Sequence, residues 1–133
     1  MTRKEAREQA FILVFEKGIN NESVEDILEA AKECREFLED EDGYTVKAFT
    51  GVFDNIEEID GIIADNISKG WTIGRISKVS LAVLRLALYE IKYMDDIPEA
   101  VSVDEAVELC KTYSIQDDAA FVNGVLGTVI RSK

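Results

Sequence analysis

Basic side chains cluster at the start of the chain, at Arg3, Lys4 and Arg7. Arg3 and Arg7 are four residues apart, so they share one face if the segment is helical. Cations in a first helical turn oppose the helix dipole, and like charges at this spacing repel by roughly a few tenths of a kcal/mol. An unfavourable arrangement of this kind indicates use, such as contact with phosphate groups. The alternative is an ordinary solvated helix end, with Glu5 and Glu8 as local partners.

The segment Phe121-Val122-Asn123-Gly124 holds a second set of candidates. A glycine inside a helix costs about 1 kcal/mol relative to alanine, and it usually marks the close approach of another helix. Asn123 could hydrogen-bond to a base or to a partner backbone, and an exposed Phe121 could stack on a base. The alternative, which the apolar periodicity favours, places Phe121 in the core and Gly124 in a helix contact.

Three charged residues, Arg75, Arg85 and Glu90, flank or interrupt the most apolar stretch of the chain, residues 79–91. Arg85 and Glu90 are five residues apart, roughly 140° around a helix, so they do not pair with each other. A charge in such an apolar helix needs a partner elsewhere. We therefore predict structural ion pairs with other helices, and the alternative is an intermolecular partner.

The residue types exclude several kinds of catalytic site. Histidine is absent, which excludes a Ser–His–Asp triad, a Cys–His pair and a His-ligated metal. Cys34 and Cys110 form no CxxC motif, so buried reduced thiols are the simplest interpretation. A carboxylate-only enzyme stays open, but acidic residues of a helical protein are usually solvated. We predict no catalytic residue, no metal and no cofactor.

The formal net charge of −12 is unusual for a nucleic-acid-binding protein, but its distribution changes the interpretation. Residues 19–66 contain 15 acidic and 3 basic residues, which accounts for the whole excess. The rest of the chain contains 12 of each. An RNA site outside residues 19–66 would not face that acidity locally, although long-range repulsion would weaken binding at low salt.

The elements that must position these residues are all predicted to be helices. Apolar residues recur at helical spacing throughout, and no segment alternates as a strand would. Capping boxes are predicted at Thr2 with Glu5 and at Ser102 with Glu105. The first predicted helix covers residues 1–18, and the second begins at Ser23 with an apolar stripe that extends to Leu38. A third helical stretch covers residues 45–66 and is divided at Gly61. A central helix begins at Arg75, and two more begin at Ser102 and at about Asp117.

These elements predict an all-α compact bundle of six to seven helices, forming a single domain over residues 1–133. The most apolar stretch is too short to cross a membrane, and Arg85 and Glu90 interrupt it. The N-terminus lacks the apolar region of a signal peptide. We expect a cytoplasmic protein.

Several motifs, in order and with matching spacing, resemble the signature of the NusB family. They are Trp71 with Arg75, VLRLALYEI at 83–91, Ile97-Pro98, EAVEL at 105–109 and FVNGVL at 121–126. The start Ala6-Arg7-Glu8 before an apolar run is also similar to that family. The resemblance covers essentially the whole chain and is most specific between residues 71 and 126.

The resemblance implies two packed helical subdomains and a non-catalytic transcription antitermination factor. Such a factor binds boxA RNA of ribosomal operons together with NusE, a small-subunit ribosomal protein, and helps RNA polymerase read through terminators. By the same resemblance, RNA contacts map to Arg3, Lys4, Arg7, Asp117 and Phe121, and the NusE-facing surface maps to Phe15, Arg75 and Ser80.

This sequence departs from the family pattern at Glu5, at Asp117–Ala120, where a lysine is common, and at Ser80-Leu81, which replaces a commonly charged pair. Two other functions stay open. In the first, the chain is the RNA-binding portion of a ribosomal RNA methyltransferase system. In the second, which the net charge favours, it is a protein-only helical adaptor. A homodimer that buries one of the same surfaces is a further alternative.

Overall fold

The computed structural model describes residues 1–34 and 36–132, and within that range it contains seven α-helices, one short 3₁₀ helix and no strand. The helices are α1 (Arg3–Ile19), α2 (Val24–Glu33), α3 (Tyr44–Asp54), α4 (Ile56–Asp65), α5 (Lys78–Tyr93), α6 (Glu99–Tyr113) and α7 (Gln116–Arg131), with the 3₁₀ helix at Ile73–Arg75. The predicted all-α fold is confirmed.

Helix α5 is the central element, as its apolar sequence predicts. From Ser80 to Ile91 every residue except Arg85 is buried. The helix packs against α1, α3 and α4 and also against α6 and α7. Helices α1 to α4 therefore pack as one group, and α6 and α7 pack as a second group. The two groups share one hydrophobic core.

Local hydrogen bonds explain where the first helices begin and where α3 ends. The predicted capping box is present at Thr2, whose hydroxyl accepts from the Glu5 N–H while the Glu5 carboxylate accepts from the Thr2 N–H. Ser23 caps α2 through one bond, in which its hydroxyl accepts from the Asp26 N–H at 3.1 Å. The predicted division at Gly61 is wrong, because the break lies at Asn55. The Asn55 side-chain amide donates to the Gly51 carbonyl at 2.8 Å and satisfies one of the last acceptors of α3.

Three other predicted boundaries are also wrong. The predicted capping box at Ser102 is absent, because α6 already begins at Glu99, directly after Pro98. Helix α5 begins at Lys78, capped by Ser77, and Arg75 lies in the 3₁₀ helix instead. Helix α2 ends at Glu33, and Leu38 lies beyond it with its side chain exposed. Residue 35, which falls within that predicted helix, lies outside the described residues.

Helices α3 and α5 approach each other closely at Gly51. A Cβ at this position would lie 2.2 Å from Cε1 and 2.6 Å from the hydroxyl oxygen of Tyr89. The Tyr89 ring is buried, 6% exposed, so it has little room to move away. The absence of a side chain at Gly51 therefore sets the spacing of these two helices.

Replacing this glycine should destabilise the fold. We expect Gly51→Ala to lower the free energy of unfolding by about 1–3 kcal/mol, because overpacking against Tyr89 outweighs the gain in helix propensity. Urea unfolding followed by circular dichroism measures the change. Gly61→Ala is the matched control: beyond its chain neighbours and the backbone of its own helix, no described atom lies within 4 Å of a Cβ built there, so it should stabilise by up to about 1 kcal/mol. Equal changes in the free energy of unfolding for both variants would contradict the proposed role of Gly51 in the spacing of α3 and α5.

Candidate nucleic-acid interface

A buried ion pair joins α1 to α5. The Arg7 guanidinium donates from Nε to Glu90 Oε2 at 2.7 Å and from Nη2 to Glu90 Oε1 at 3.2 Å. Arg7 is 5% exposed and Glu90 is 1% exposed. A third charge, Glu105 on α6, lies 3.7 Å from Arg7 Nη1. The prediction that Glu90 needs a partner on another helix is confirmed.

Two hydroxyl groups complete the hydrogen bonding of Glu90. Tyr44 on α3 donates to Glu90 Oε2, and Ser102 on α6 donates to Oε1 at 2.8 Å. Burial raises the pKa of Tyr44, and the neighbouring Glu90 charge raises it further, so this phenol stays protonated as a donor. Burial lowers the pKa of Arg7, but its hydrogen bond and charge contact with Glu90 outweigh that and raise it overall. Four helices therefore meet at one carboxylate.

This network removes Arg7 from the surface. Phosphate contact by Arg7 would require breaking a two-point hydrogen bond inside the core, so the expectation that it joins Arg3 and Lys4 at the surface is wrong. The sequence shows Arg7 and Glu90 as separate candidates, and their separation of 83 positions hides their pairing.

At the N-terminal end of α1, Lys4 is exposed and Arg3 is partly exposed. The Lys4 side chain is 70% exposed, and its Nζ lies 3.8 Å from Glu105 on α6. Arg3 stacks over the Tyr44 ring at 4.8 Å and donates to Asp42 at 3.4 Å. Ion pairs of this length at the surface contribute only about 0–1 kcal/mol. Phosphate oxygens can therefore replace Glu105 and Asp42 at little cost.

An aromatic pair forms where α7 meets the loop before α5. The half-buried Phe121 ring lies 6.2 Å from the Trp71 ring, and Trp71 is 51% exposed. The Arg75 guanidinium lies over the Trp71 ring, 5.8 Å from its centroid. Asp117, one turn before Phe121, is exposed. Trp71 thus lies against both Phe121, predicted for RNA, and Arg75, predicted for the protein partner.

Asn123 does not join this aromatic pair. It is two residues from Phe121, roughly 200° around α7, so it faces elsewhere. Asn123 is exposed and lines a shallow depression between α6 and α7 with Gln116 and Lys111. The expectation that Gly124 marks a helix contact is wrong, because no described atom of another helix lies within 4 Å of a Cβ built there.

The three residues predicted for the partner face differ in accessibility. Phe15 is half-buried, with its ring 6.2 Å from that of Phe11, and Arg75 is exposed. Ser80 is only 1% exposed, so its expected place on a partner surface is wrong. Its Oγ has no hydrogen-bond partner within the described part of the chain. Arg85 instead pairs with Asp60 on α4 through two bonds of 2.9 Å, which confirms its predicted structural role.

Two residues of this region had no predicted role. Trp71 is the single tryptophan and lies four residues before Arg75, a spacing that could have suggested a cation–aromatic contact. Asp118 accepts hydrogen bonds from Ser77, at 3.0 Å, and from Ser114. Because Ser77 caps α5, Asp118 ties the start of α7 to the start of α5. The acidic start of α7 is therefore partly structural.

The sequence matches a known protein family over almost its whole length. The family model described as NusB family matches residues 4–131. This chain belongs to the NusB family. The transcription antitermination protein NusB of Acetivibrio thermocellus is 44% identical over 133 residues, covering 100% of this chain and 91% of that relative.

Solved structures of the NusB family have the same fold. NusB of T. maritima is 31% identical with a TM-score of 0.86, covering 98% of this chain and 92% of that one. A chain in the crystal structure of antitermination factors NusB and NusE in complex with dsRNA is 27% identical, with a TM-score of 0.86. That match covers 98% of this chain and 97% of the other. Among the described residues of this NusB family member, no helix is long and apolar enough to span a membrane.

Breaking the buried ion pair should destabilise the fold strongly. We expect Glu90→Gln to lower the free energy of unfolding by about 3–5 kcal/mol, because the buried Arg7 loses its hydrogen-bonded carboxylate and keeps only the looser ion pair with Glu105 at 3.7 Å. Urea unfolding of the variant measures the loss. Lys92→Met is the control, since it removes an exposed ion pair with Glu58 and should cost only about 0–1 kcal/mol. Similar losses for both variants would show that the buried pair has no special weight.

Proposed function

We propose that this chain is a transcription antitermination factor that binds boxA-type RNA together with NusE and supports read-through of ribosomal RNA operons by RNA polymerase. It acts in the cytoplasm as a binding protein and not as an enzyme. The observation that carries the proposal is the full-length match in fold to a NusB chain from a structure that contains NusE and RNA. The accessible residues of the candidate interface supply chemistry suited to that role.

Phosphate contact falls to Arg3 and Lys4. Both are held at the start of α1 by weak ion pairs that a phosphate can displace. Lys4 reaches towards α6, and α6 packs against α7, which carries Phe121. The buried Arg7 supports this surface from below, because it holds the first turns of α1 against α5 and α6.

Base contact falls to the aromatic pair. Trp71 offers an exposed ring, and the Phe121 ring packs against it. Proteins recognise single-stranded RNA by stacking unpaired bases on such rings. Arg75 can contribute both its charge and a flat guanidinium surface at the same place. We include Trp71 in the proposed RNA surface and leave Arg7 out of it.

The accessible basic set is small, so we expect weak RNA binding by the isolated chain. The net charge of −12 adds repulsion at low salt. NusE would then supply much of the affinity, and its proposed contact surface includes Phe15 and Arg75. Because Arg75 also touches Trp71, the RNA and protein surfaces adjoin.

The same charge favours one alternative, a protein-only adaptor that does not contact RNA. Titration of labelled boxA RNA with the chain, alone and with NusE, distinguishes the two. The proposed factor should bind RNA in the presence of NusE at moderate salt, and binding should weaken as salt increases. An absence of RNA binding with and without NusE would leave the adaptor as the better description.

Removing one proposed phosphate contact should reduce the salt dependence of binding. We expect Lys4→Ala, in the presence of NusE, to lower the slope of log K against log salt by about 0.7, the value for one phosphate of a single strand. Fluorescence anisotropy at several salt concentrations gives this slope. Lys32→Ala, in the exposed part of α2, is the control and should leave the slope unchanged. A slope unaffected by Lys4→Ala would remove Lys4 from the RNA surface.

The single tryptophan provides a direct test of base stacking. We expect boxA RNA to quench the fluorescence of Trp71, because a base stacked on the ring changes its surroundings. Phe121→Ala or Trp71→Ala should weaken binding by about 1–3 kcal/mol, the usual contribution of one stacked base. Unchanged fluorescence at saturating RNA would place the bases elsewhere on the chain.

A further inference from the structure

An open groove of about 550 Å³ runs between α1 and the segment that includes the end of α2 and residues 36–38. Its walls come from one face of α1, from Ala30 and Ala31, and from Phe37 and Leu38. None of the residues proposed for RNA or NusE contact lines it. The groove is therefore a separate surface of the molecule.

The groove exposes large apolar side chains. Ile12 is 47% exposed, Leu38 is 52% exposed and Met1 is 46% exposed. Single exposed apolar residues are normal on a protein surface and need no explanation. Three of them around one concave surface form an apolar patch, which is typical of a contact with another molecule.

Hydrogen bonds hold the far wall of the groove in place. The Gln9 side chain on α1 donates to the Leu38 carbonyl at 2.7 Å and accepts from the Leu38 N–H at 2.9 Å. It also donates to Thr45 Oγ1 at 3.1 Å. The backbone of Leu38 is thus fully bonded while its side chain stays exposed. A preformed wall lowers the ordering cost that a ligand must meet on binding.

The rim of the groove is acidic. Glu5, Glu8, Glu16 and Glu36 line it, and no lysine or arginine does so among the described residues. The groove also borders residues 19–66, which carry the entire net negative charge of the chain. An apolar floor with an acidic rim is complementary to a ligand with an apolar stripe flanked by positive charges.

We propose that this groove binds a basic amphipathic α-helix of a partner protein. Its lining on α1 extends from Glu5 to Glu16, about 16 Å of helix, which a partner helix of about 15 residues can cover in full. Apolar partner residues would pack on Ile12 and Leu38, and lysines or arginines would face Glu16 and Glu36. A second copy of this chain is a poorer occupant, because it would bring the same acidic rim against this one. The inference does not depend on RNA binding.

A designed peptide tests the proposed chemistry on the intact chain. The probe is a fluorescein-labelled helical peptide of about 15 residues with leucines at helical spacing and lysines elsewhere. Its matched control is a scrambled peptide of equal composition. We expect anisotropy to detect binding of the helical peptide, and the scrambled peptide to bind at least tenfold more weakly, a difference of about 1.4 kcal/mol. Equal binding of both peptides would mean that only charge is recognised and would overturn the proposal, as would no binding of either.

Surface variants locate the binding. Ile12→Ser and Leu38→Ser should each weaken the helical peptide about tenfold without unfolding the chain, because both side chains are already exposed. Glu16→Lys with Glu36→Lys should weaken it most at low salt. Val101→Ser is the matched control, an exposed apolar residue on α6 outside the groove. Equal weakening by Val101→Ser and Leu38→Ser would show that the peptide does not bind in the groove. Sedimentation that shows the groove joining two copies of this chain would also overturn the proposal.

The predicted burial of both thiols is wrong for Cys34, which is exposed and lines the groove, so it gives an independent readout. Cys110 is buried, and burial raises the pKa of its thiol to about 11, so it should react slowly with alkylating reagents. We expect the helical peptide, at saturation, to slow alkylation of Cys34 severalfold, and the scrambled peptide to leave the rate unchanged. An unchanged rate under the bound helical peptide would place that peptide elsewhere.

Discussion

One buried carboxylate, that of Glu90, holds the architecture together. A charge at this depth is tolerated only when its counter-charge and its remaining hydrogen bonds are all supplied, since desolvation alone costs several kcal/mol. Here Arg7, Tyr44 and Ser102 supply them, from three different helices around α5. Helices from both packed groups therefore have to reach the same point, and this fixes how the groups are arranged. An apolar core alone would leave that arrangement less specific, because hydrophobic contact is not directional.

The constraint at Glu90 also shapes the surface used for binding. The first turn of α1 is anchored through Arg7, so Arg3 and Lys4 project from a fixed position instead of a mobile arm. The cation that the sequence places among these residues is used for structure. The remaining basic set is small, and the aromatic pair of Trp71 and Phe121 gains weight in the proposed function. Structure and binding therefore compete for the same residue types at the N-terminus.

Much of the fold could be predicted, because helical periodicity and capping are local properties of the sequence. The capping box at Thr2 and the burial of α5 depend on residues within a few turns of each other. The errors arise where a side chain serves a distant partner. Ser102 has the spacing of a capping residue but bonds to Glu90, and Ser80 lies on the inner side of α5 because Ser77 begins that helix. Which cation is buried depends on tertiary contacts that no local pattern reports.

The segregation of charge has a consequence for how the molecule meets its ligands. Helices α2, α3 and α4 lie within the acidic segment, and α5 contacts α3 and α4 as well as α6 and α7. The acidic segment also reaches the proposed phosphate surface, because Asp42 lies 3.4 Å from Arg3. RNA that binds Arg3 therefore has to displace an acidic side chain of the same molecule. The acidity of the chain also slows its encounter with RNA, and salt that screens the repulsion reduces this effect.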